Sequence, residues 1–241
     1  MKTIAGKFAL VTGANRGLGL AFVQELLAQG AAQIYAATRQ PEMVRSLFSK
    51  DPRVLPLPLE LRDLDSIRRA AEQVGELHLL VNNAAVLTAG DVLANDSLDR
   101  LQQEWEVNVR GNLAVVRAFA PQLLAAPEAV LVQINSIAAL CPFDDVPTYA
   151  ATKSAALSIT QALRRELAPQ GVPVFSVLPG PLATDMAAWL TCEKADPRVL
   201  AATVLHAVTH GGPHDLFPDA GAEPFWKEFQ ANPAGTLFVQ S

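Results

Sequence analysis

Charged residues and cysteines are scarce in this sequence, and it has no apolar run of the roughly 18–20 residues that a membrane-spanning helix needs. Charged side chains make up 18% of the 241 residues and the net charge is −5, which gives no electrostatic reason to expect nucleic acid or an anionic membrane as a partner. Two cysteines, Cys141 and Cys192, allow one disulfide at most, and we interpret them as reduced thiols. The sequence therefore predicts a cytoplasmic protein that binds neither nucleic acid nor membrane.

Short aliphatic and β-branched segments alternate with longer amphipathic ones along the chain. This alternation predicts an α/β fold, a single-domain doubly wound parallel sheet (Rossmann-like) with helices on both faces. The predicted strands are Phe8–Thr12, Gln33–Ala37, Val54–Pro58, Leu77–Asn82, Val130–Asn135 and Val172–Leu178. The predicted helices are Gly19–Gln29, Asp63–Val74, Leu98–Leu124, Thr148–Ala168 and Pro197–Thr209. We expect one domain over 1–241, whose loop-rich tail (about 211–241) supplies a cap and a seventh edge strand.

A glycine-rich turn joins the first predicted strand to the first predicted helix. The segment Thr12–Gly19 has the spacing G-x-x-x-G-x-G. Glycines at such a turn let the backbone approach a pyrophosphate, and the helix N-terminus offers unpaired N–H groups and a favourable dipole. A plain tight turn is the alternative. The position between a strand and a helix favours a dinucleotide site.

The end of the second predicted strand bears on which dinucleotide binds. An acidic residue there would accept hydrogen bonds from an NAD ribose, whereas a basic residue suits the extra phosphate of NADP. This chain has Thr38 and Arg39, with no acidic residue before Glu42. A hydroxyl and a guanidinium both suit a phosphate, and Arg16 in the glycine-rich turn could approach it from the other side. Two exposed surface arginines are the alternative. We favour NADP(H).

Tyr149 and Lys153 are four residues apart in a helical pattern and therefore share a face. We expect the neighbouring ammonium to lower the tyrosine pKa from about 10 towards the range of a useful proton donor. A helix surface pair is the alternative. Two polar strand ends favour a site: Ser136 after the fifth strand could bind a substrate carbonyl, and Asn83 after the fourth could brace the backbone near the cofactor. Such residues are also common turn formers, so their joint occurrence carries the inference.

Taken in chain order, these motifs resemble those of the short-chain dehydrogenase/reductase family, over residues 5 to about 190. The motifs that carry the resemblance are Thr12–Gly19, Asn82-Asn83-Ala84, Asn108, Ser136, Tyr149 with Lys153, and Pro179-Gly180-Pro181 with Thr184. The resemblance implies that Ser136, Tyr149 and Lys153 are catalytic and that Asn108 completes a proton relay through water. It also implies that Lys153 binds the nicotinamide ribose and that Thr184 binds the carboxamide.

The resemblance implies a longer set of cofactor-binding residues. They are Gly13, Asn15, Arg16, Gly17, Leu18, Gly19, Thr38, Arg39, Glu60, Leu61, Asn83, Ala84, Tyr149, Lys153, Pro179, Gly180, Leu182 and Thr184. Two positions depart from the family pattern. Ala85 stands where the family has glycine, and Glu60 stands where it has the aspartate that contacts adenine, with Asp63 as a competing assignment.

The substrate side of the site is apolar in this interpretation. The predicted pocket residues are Ile137, Cys141, Phe143, Met186 and Trp189, with a substrate loop at about 182–197. Apolar side chains at a pocket mouth favour an alkyl or aryl ketone or aldehyde over a sugar phosphate. Ordinary core packing explains each of these residues equally well, and Cys141 in particular could be a buried small hydrophobe.

Two further features bear on metals and on assembly. His206, His210 and His214 are four residues apart, but Gly211–Pro213 should end the helix before the third, so we expect no metal site. The predicted helix Leu98–Leu124 resembles the family helix that forms dimer or tetramer interfaces, with Trp105 as a plausible anchor. Packing against the sheet is the alternative.

The sequence thus predicts reversible, NADPH-dependent reduction of a ketone or aldehyde to an alcohol. NADPH would supply the hydride and Tyr149 the proton. Two alternatives stay open at this point: a reductase of an imine or enone on the same scaffold, and a non-catalytic NADP(H)-binding sensor.

Overall fold

The computed structural model describes residues 1–233 and contains one parallel sheet. Its strands are β1 (Phe8–Thr12), β2 (Gln33–Thr38), β3 (Val54–Pro58), β4 (Leu79–Asn82), β5 (Val130–Ile134), β6 (Val174–Val177) and β7 (Asp215–Leu216). The strand order is β3-β2-β1-β4-β5-β6-β7, with every neighbouring pair parallel. This confirms the predicted fold class and the seventh edge strand.

Helices connect the strands and flank the sheet. In the described part of the chain they are α1 (Gly17–Ala28), α2 (Pro41–Leu47), α3 (Leu64–Gln73), α4 (Ser97–Trp105), α5 (Asn112–Ala125), α6 (Pro147–Leu167), α7 (Pro197–His210) and α8 (Ala222–Ala231). Two of them were not predicted. The short α2 starts at a proline that suits a first helical turn, and α8 lies in the tail expected to be a loop-rich cap. Residues 234–241 of that cap lie outside the described residues.

Two apolar cores, one on each face of the sheet, explain the unbroken hydrophobic strands. Along β1, Ala9 and Val11 pack into the core that contains Phe22 of α1. The intervening Leu10 packs into the core that contains Phe119 of α5. A strand buried on both faces needs no polar alternation. Within residues 1–233, no helix combines the length and the hydropathy needed to cross a membrane.

The helix predicted over Leu98–Leu124 is interrupted, which corrects that prediction. A π-helical turn, Glu106–Gly111, separates α4 from α5. Its last residue packs closely on the chain after β3, since a Cβ at Gly111 would lie 2.6 Å from the carbonyl oxygen of Leu61. The hydrophobic periodicity of a sequence does not reveal a single π-helical turn within a long helix. Such turns are frequent at functional sites, and this one holds Asn108.

Candidate active site

A cavity of about 940 Å³ opens at the carboxyl edge of the sheet. Its wall consists of segments that follow β1 to β6, the place where open α/β sheets bind ligands. All of the residues predicted to bind the cofactor line it, as do Ser136, Ile137, Phe143, Met186 and Trp189. Of the predicted site residues, Asn108 and Cys141 lie outside this wall.

The glycine-rich turn is braced by the end of β4. The Thr12 hydroxyl accepts hydrogen bonds from the backbone N–H groups of Asn83 (2.9 Å) and Ala84 (3.0 Å). The Asn83 side chain in turn donates to the Thr12 carbonyl (2.9 Å). At Gly19 a Cβ would lie only 2.1 Å from the carbonyl oxygen of Gly13, so only glycine fits there. The bracing role expected for the asparagine is thus visible in its contacts.

Two exposed arginines stand at the mouth of the cavity, each in an ion pair. Arg39 lies 3.6 Å from the carboxylate of Glu60, and Arg16 lies 2.9 Å from that of Asp185, which follows β6. Between them, the Thr38 hydroxyl donates to the Asn15 side chain at 3.1 Å. Exposed ion pairs contribute at most about 1 kcal/mol, so both guanidinium groups can exchange their carboxylate for a ligand phosphate at little cost.

The structure distinguishes the two acidic residues proposed to contact adenine. Glu60 lines the cavity beside Leu61. Asp63 instead caps α3, where its side chain accepts hydrogen bonds from the N–H groups of Asp65 and Ser66. A capping role commits this carboxylate to the helix end. The geometry therefore favours Glu60 as the adenine-side residue.

Three side chains meet at the inner end of the cavity. Tyr149 and Lys153 lie one turn apart on α6, and both are buried. The Lys153 ammonium donates to the Ile134 carbonyl at 2.9 Å and lies 5.6 Å from the centre of the Tyr149 ring. The Ser136 hydroxyl hydrogen-bonds to the Tyr149 phenol and accepts the N–H of Ala138 at 3.1 Å. The end of β5 and the helix α6 thus bring together the three residues predicted to be catalytic.

Burial dominates the titration of this group. It raises the pKa of Tyr149 above its ordinary value; the Ser136 hydrogen bond lowers that pKa in part, and the charge of Glu104 raises it further. Burial also lowers the pKa of Lys153 to about 8. The tyrosine pKa is therefore raised and not lowered in this arrangement, because desolvation of the phenolate outweighs its favourable contacts.

Asn108 holds the chain behind these residues. Its amide donates to the Val86 carbonyl (2.8 Å) and to the Thr152 hydroxyl (3.0 Å), while its oxygen accepts the Val86 N–H (2.9 Å). A second cavity of about 10 Å³ lies between Asn108 and Lys153, bordered by Ile134. A polar space of this size is close to the minimum for one water molecule.

The substrate side of the cavity is largely apolar. Phe143, Met186 and Trp189 are partly exposed at its mouth, and the Trp189 indole donates to the Met186 carbonyl at 3.1 Å. A β-bridge between Leu182 and Ala195 closes the loop that carries Met186 and Trp189. Further lining residues missed by the sequence reasoning include Val86, Leu87, Val146, Leu190 and Cys192, and the acidic Asp144 and Asp145 line the cavity beside Phe143.

Cys141, predicted to line the pocket, lies elsewhere. It is buried outside the cavity wall, and its thiol donates to the Pro142 carbonyl at 3.4 Å. The residues after Ser136 form a 3₁₀ turn, Ile137–Ala139, which keeps Ile137 at the cavity. The alternative description, a buried small hydrophobe, fits this position better.

Comparison with known proteins decides the family. The sequence model of the short chain dehydrogenases matches residues 7–194. The chain belongs to the short-chain dehydrogenase family. An uncharacterised oxidoreductase of Staphylococcus aureus (strain MW2) is 32% identical over 221 residues, which are 87% of this chain and 94% of that protein.

Solved structures agree with this assignment. A short chain dehydrogenase from Burkholderia cenocepacia J2315, in complex with NADP, is 34% identical, has a TM-score of 0.90, and is matched over 96% of this chain and 95% of its own. A short chain dehydrogenase/reductase from Burkholderia phymatum, in complex with NAD, is 21% identical with a TM-score of 0.85, over 100% and 99% of the two chains. This second likeness shows the shared fold. The chain is accordingly an oxidoreductase of the short-chain dehydrogenase family.

One contact in this short-chain dehydrogenase joins the loop after β6 to the segment that precedes α8. Asp219 accepts the N–H of Gly180 at 2.9 Å with one carboxylate oxygen. Its other oxygen accepts the N–H groups of Gly221 (3.0 Å) and Ala222 (2.8 Å) at the start of α8. No sequence signal indicated this residue, because its partner lies 39 positions away.

Proposed function

We propose that this short-chain dehydrogenase reduces an apolar ketone or aldehyde to an alcohol, reversibly, with NADP(H) as cofactor. The observation that carries the proposal is the group of Ser136 with the buried Tyr149 and Lys153, which lines the same cavity as the glycine-rich turn. A proton donor, an orienting hydroxyl and a cation are thereby confined to one place. The apolar side chains of Phe143, Met186, Trp189 and Leu190 in the wall support an apolar substrate.

The residues of the outer end fit a dinucleotide. The close approach of Gly19 to Gly13 opens the start of α1 to a pyrophosphate. Thr38, Arg39 and Arg16 would hold the additional phosphate of NADP, and Lys153 the nicotinamide ribose. The NADP complex of the Burkholderia cenocepacia relative supports this choice. When bound, the cofactor supplies or accepts the hydride.

The chain's own residues then handle orientation and the proton. The Ser136 hydroxyl would orient the carbonyl oxygen, and the Tyr149 phenol would donate its proton to that oxygen. In the oxidation direction the tyrosine would accept the alcohol proton. The Lys153 ammonium lies 5.6 Å from the centre of the Tyr149 ring, and Asn108 and Lys153 both border the small cavity, so one water molecule there would connect the relay.

Consumption of NADPH across a panel of carbonyl compounds tests this function, with NADH as the parallel cofactor. Apolar ketones or aldehydes should be reduced, and phosphorylated or highly hydroxylated compounds should react poorly. Preference for the latter would contradict the proposed substrate class. Imines and enones belong in the same panel, since faster reduction of either would replace the carbonyl reaction. NADPH binding without any turnover across the panel would favour a sensor.

We also propose that copies of the chain associate through α4. Trp105 and Leu98 on this helix are exposed by 44% and 77%. Burial of such apolar side chains between copies is favourable, and an aromatic side chain is a typical interface anchor. Light scattering should give the mass of a dimer or tetramer, whereas a Trp105→Glu variant should shift towards monomer. A monomeric wild type would contradict the proposal.

A further inference from the structure

Helix α8 lies beside the cavity, although none of its residues is part of the cavity wall. Its start is fixed by Asp219, whose carboxylate accepts the N–H of Gly180 in the loop after β6 and that of Ala222 at 2.8 Å. The helix also packs against the 3₁₀ turn Ile137–Ala139, whose first residue lines the cavity. These contacts hold α8 next to the wall segments that follow β5 and β6.

Aromatic side chains extend from this helix to the mouth of the cavity. The centre of the Phe225 ring lies 5.9 Å from that of Phe143, with an angle of 42° between the two ring planes. Phe229 and Trp226 continue the series along α8, and Trp226 stacks on Phe217 after β7, with ring centres 4.6 Å apart. Aromatic pairs with centres about 4.5–7 Å apart attract one another beyond the effect of their burial. The edge of the sheet is thereby connected through α8 to the substrate side of the site.

Phe143 lies in the cavity wall on a loop, and its side chain is partly exposed. The backbone of this loop is tied at two points. The Phe143 carbonyl accepts the Val146 N–H at 3.0 Å, and the Asp145 carbonyl accepts the Gly90 N–H at 2.8 Å. Both hydrogen bonds fix the backbone and leave the ring free to change rotamer. Contact with Phe225 therefore restrains the Phe143 ring in the position that it has in the wall.

We propose that Phe225 is a positioning residue that sets the width of the substrate mouth through Phe143, and that it thereby favours compact carbonyl substrates over bulky ones. The inference rests on the proposed function, because it concerns the substrate of the same cavity. Phe225 contacts a wall residue without being part of the wall, so loss of its ring leaves space into which Phe143 can withdraw. The mouth would then widen.

Removal of the Phe225 ring tests this role in the kinetics. Phe225→Leu keeps apolar volume on α8, and it should raise the ratio of kcat/KM for a two-ring over a one-ring aryl ketone by about 3- to 10-fold, as expected for the loss of one aromatic pair. KM for NADPH should not change, because Phe225 does not line the cavity. Phe225→Tyr keeps the ring and should keep the wild-type ratio. An unchanged ratio in Phe225→Leu would overturn the proposal.

The matched control for this variant is Trp226→Leu. It removes a neighbouring ring of the same helix, which stacks on Phe217 and has no contact with Phe143 among the described residues. The substrate ratio of this variant should stay at the wild-type value. A rise equal to that of Phe225→Leu would mean that any loosening of α8 widens the mouth, and it would refute the specific role of Phe225.

A double-mutant cycle tests whether Phe225 acts through Phe143. In a Phe143→Ala background the aromatic pair is already lost, so Phe225→Leu should leave the substrate ratio unchanged. A further rise of the same size as in the wild type would show that Phe225 acts by another route.

The contact itself can be tested without turnover. In urea unfolding, Phe225→Leu should lower the midpoint of the wild type by more than it lowers that of Phe143→Ala, since only the wild type has the pair to lose. Equal decreases would rule out the contact and with it the proposal. A wild type that reduces no carbonyl compound refutes the proposed function, whereas the urea comparison still decides whether Phe225 restrains Phe143.

Discussion

The two ends of the cavity differ in how their functional groups are held. At the outer end, Arg16 and Arg39 are exposed and form ion pairs that water screens. At the inner end, Tyr149 and Lys153 are buried and fixed by neighbours from β5 and α6. The outer end can therefore rearrange around a ligand at little cost, whereas the inner end is preorganised and costs stability. Substitutions should affect affinity at the outer end and turnover at the inner end.

The largest effect is expected at Tyr149. Tyr149→Phe removes the proton donor and keeps the ring, so kcat for carbonyl reduction should fall by about 10²- to 10⁴-fold. NADPH binding, followed by its fluorescence, should stay within about 3-fold of wild type, because the hydroxyl is only one of its contacts. Tyr35→Phe, in β2, is the matched control and should keep full activity. Activity of Tyr149→Phe within tenfold of wild type would remove the tyrosine from the mechanism.

Lys153 should show the cost of preorganisation directly. Burial lowers its pKa from 10.5 to about 8, so between these values the unfolded chain binds more protons than the folded one. Burial of the Lys153 charge lowers the free energy of unfolding by its full amount below pH 8. This destabilisation decreases to zero as the pH rises from 8 to 10.5. Lys153→Met should therefore raise the free energy of unfolding at pH 7 by about 1–3 kcal/mol, and lower kcat on the order of 10²-fold.

Urea unfolding of both proteins at several pH values checks this prediction. The stability difference between Lys153→Met and wild type should shrink as the pH rises from 8 to 10.5, because the wild type loses its buried charge. Lys227→Met, which removes an exposed lysine paired with Glu223, should show no such trend. A destabilised Lys153→Met would mean that the Ile134 hydrogen bond outweighs the burial cost.

The outer end should respond through cofactor preference. Arg39→Ser removes a charged partner of the NADP phosphate, so KM for NADPH should rise by about 10- to 100-fold, with KM for NADH little changed. Arg62→Ser is a matched control, because Arg62 also lies 3.6 Å from Glu60 but is not part of the cavity wall. Equal use of NADH and NADPH by the wild type would contradict the phosphate role of Arg39.

How far apart interacting residues lie along the chain determines what could be predicted from the sequence. The glycine-rich turn, and the pair Tyr149 and Lys153, consist of neighbours along the chain, so spacing alone revealed them. Glu104 and Asp219 act on backbone groups 16 and 39 residues away, and only the packed fold shows these partners. The π-helical turn was missed for a related reason, because hydrophobic periodicity does not resolve one extra residue in a turn.

The smallest effect is expected at Asp219, which joins the loop after β6 to α8. Asp219→Ala removes the acceptor of the Gly180 N–H and of two N–H groups at the start of α8, so the free energy of unfolding should fall by about 1–2 kcal/mol. Because Gly180 lines the cavity, kcat should also fall, by about 3- to 10-fold. Glu223→Ala changes an exposed residue of the same helix and should leave kcat unchanged. If Asp219→Ala lowers only the free energy of unfolding and not kcat, α8 stabilises the fold without aligning the loop after β6. Only the residues in direct contact with Tyr149 and Lys153 would then preorganise the inner end of the cavity.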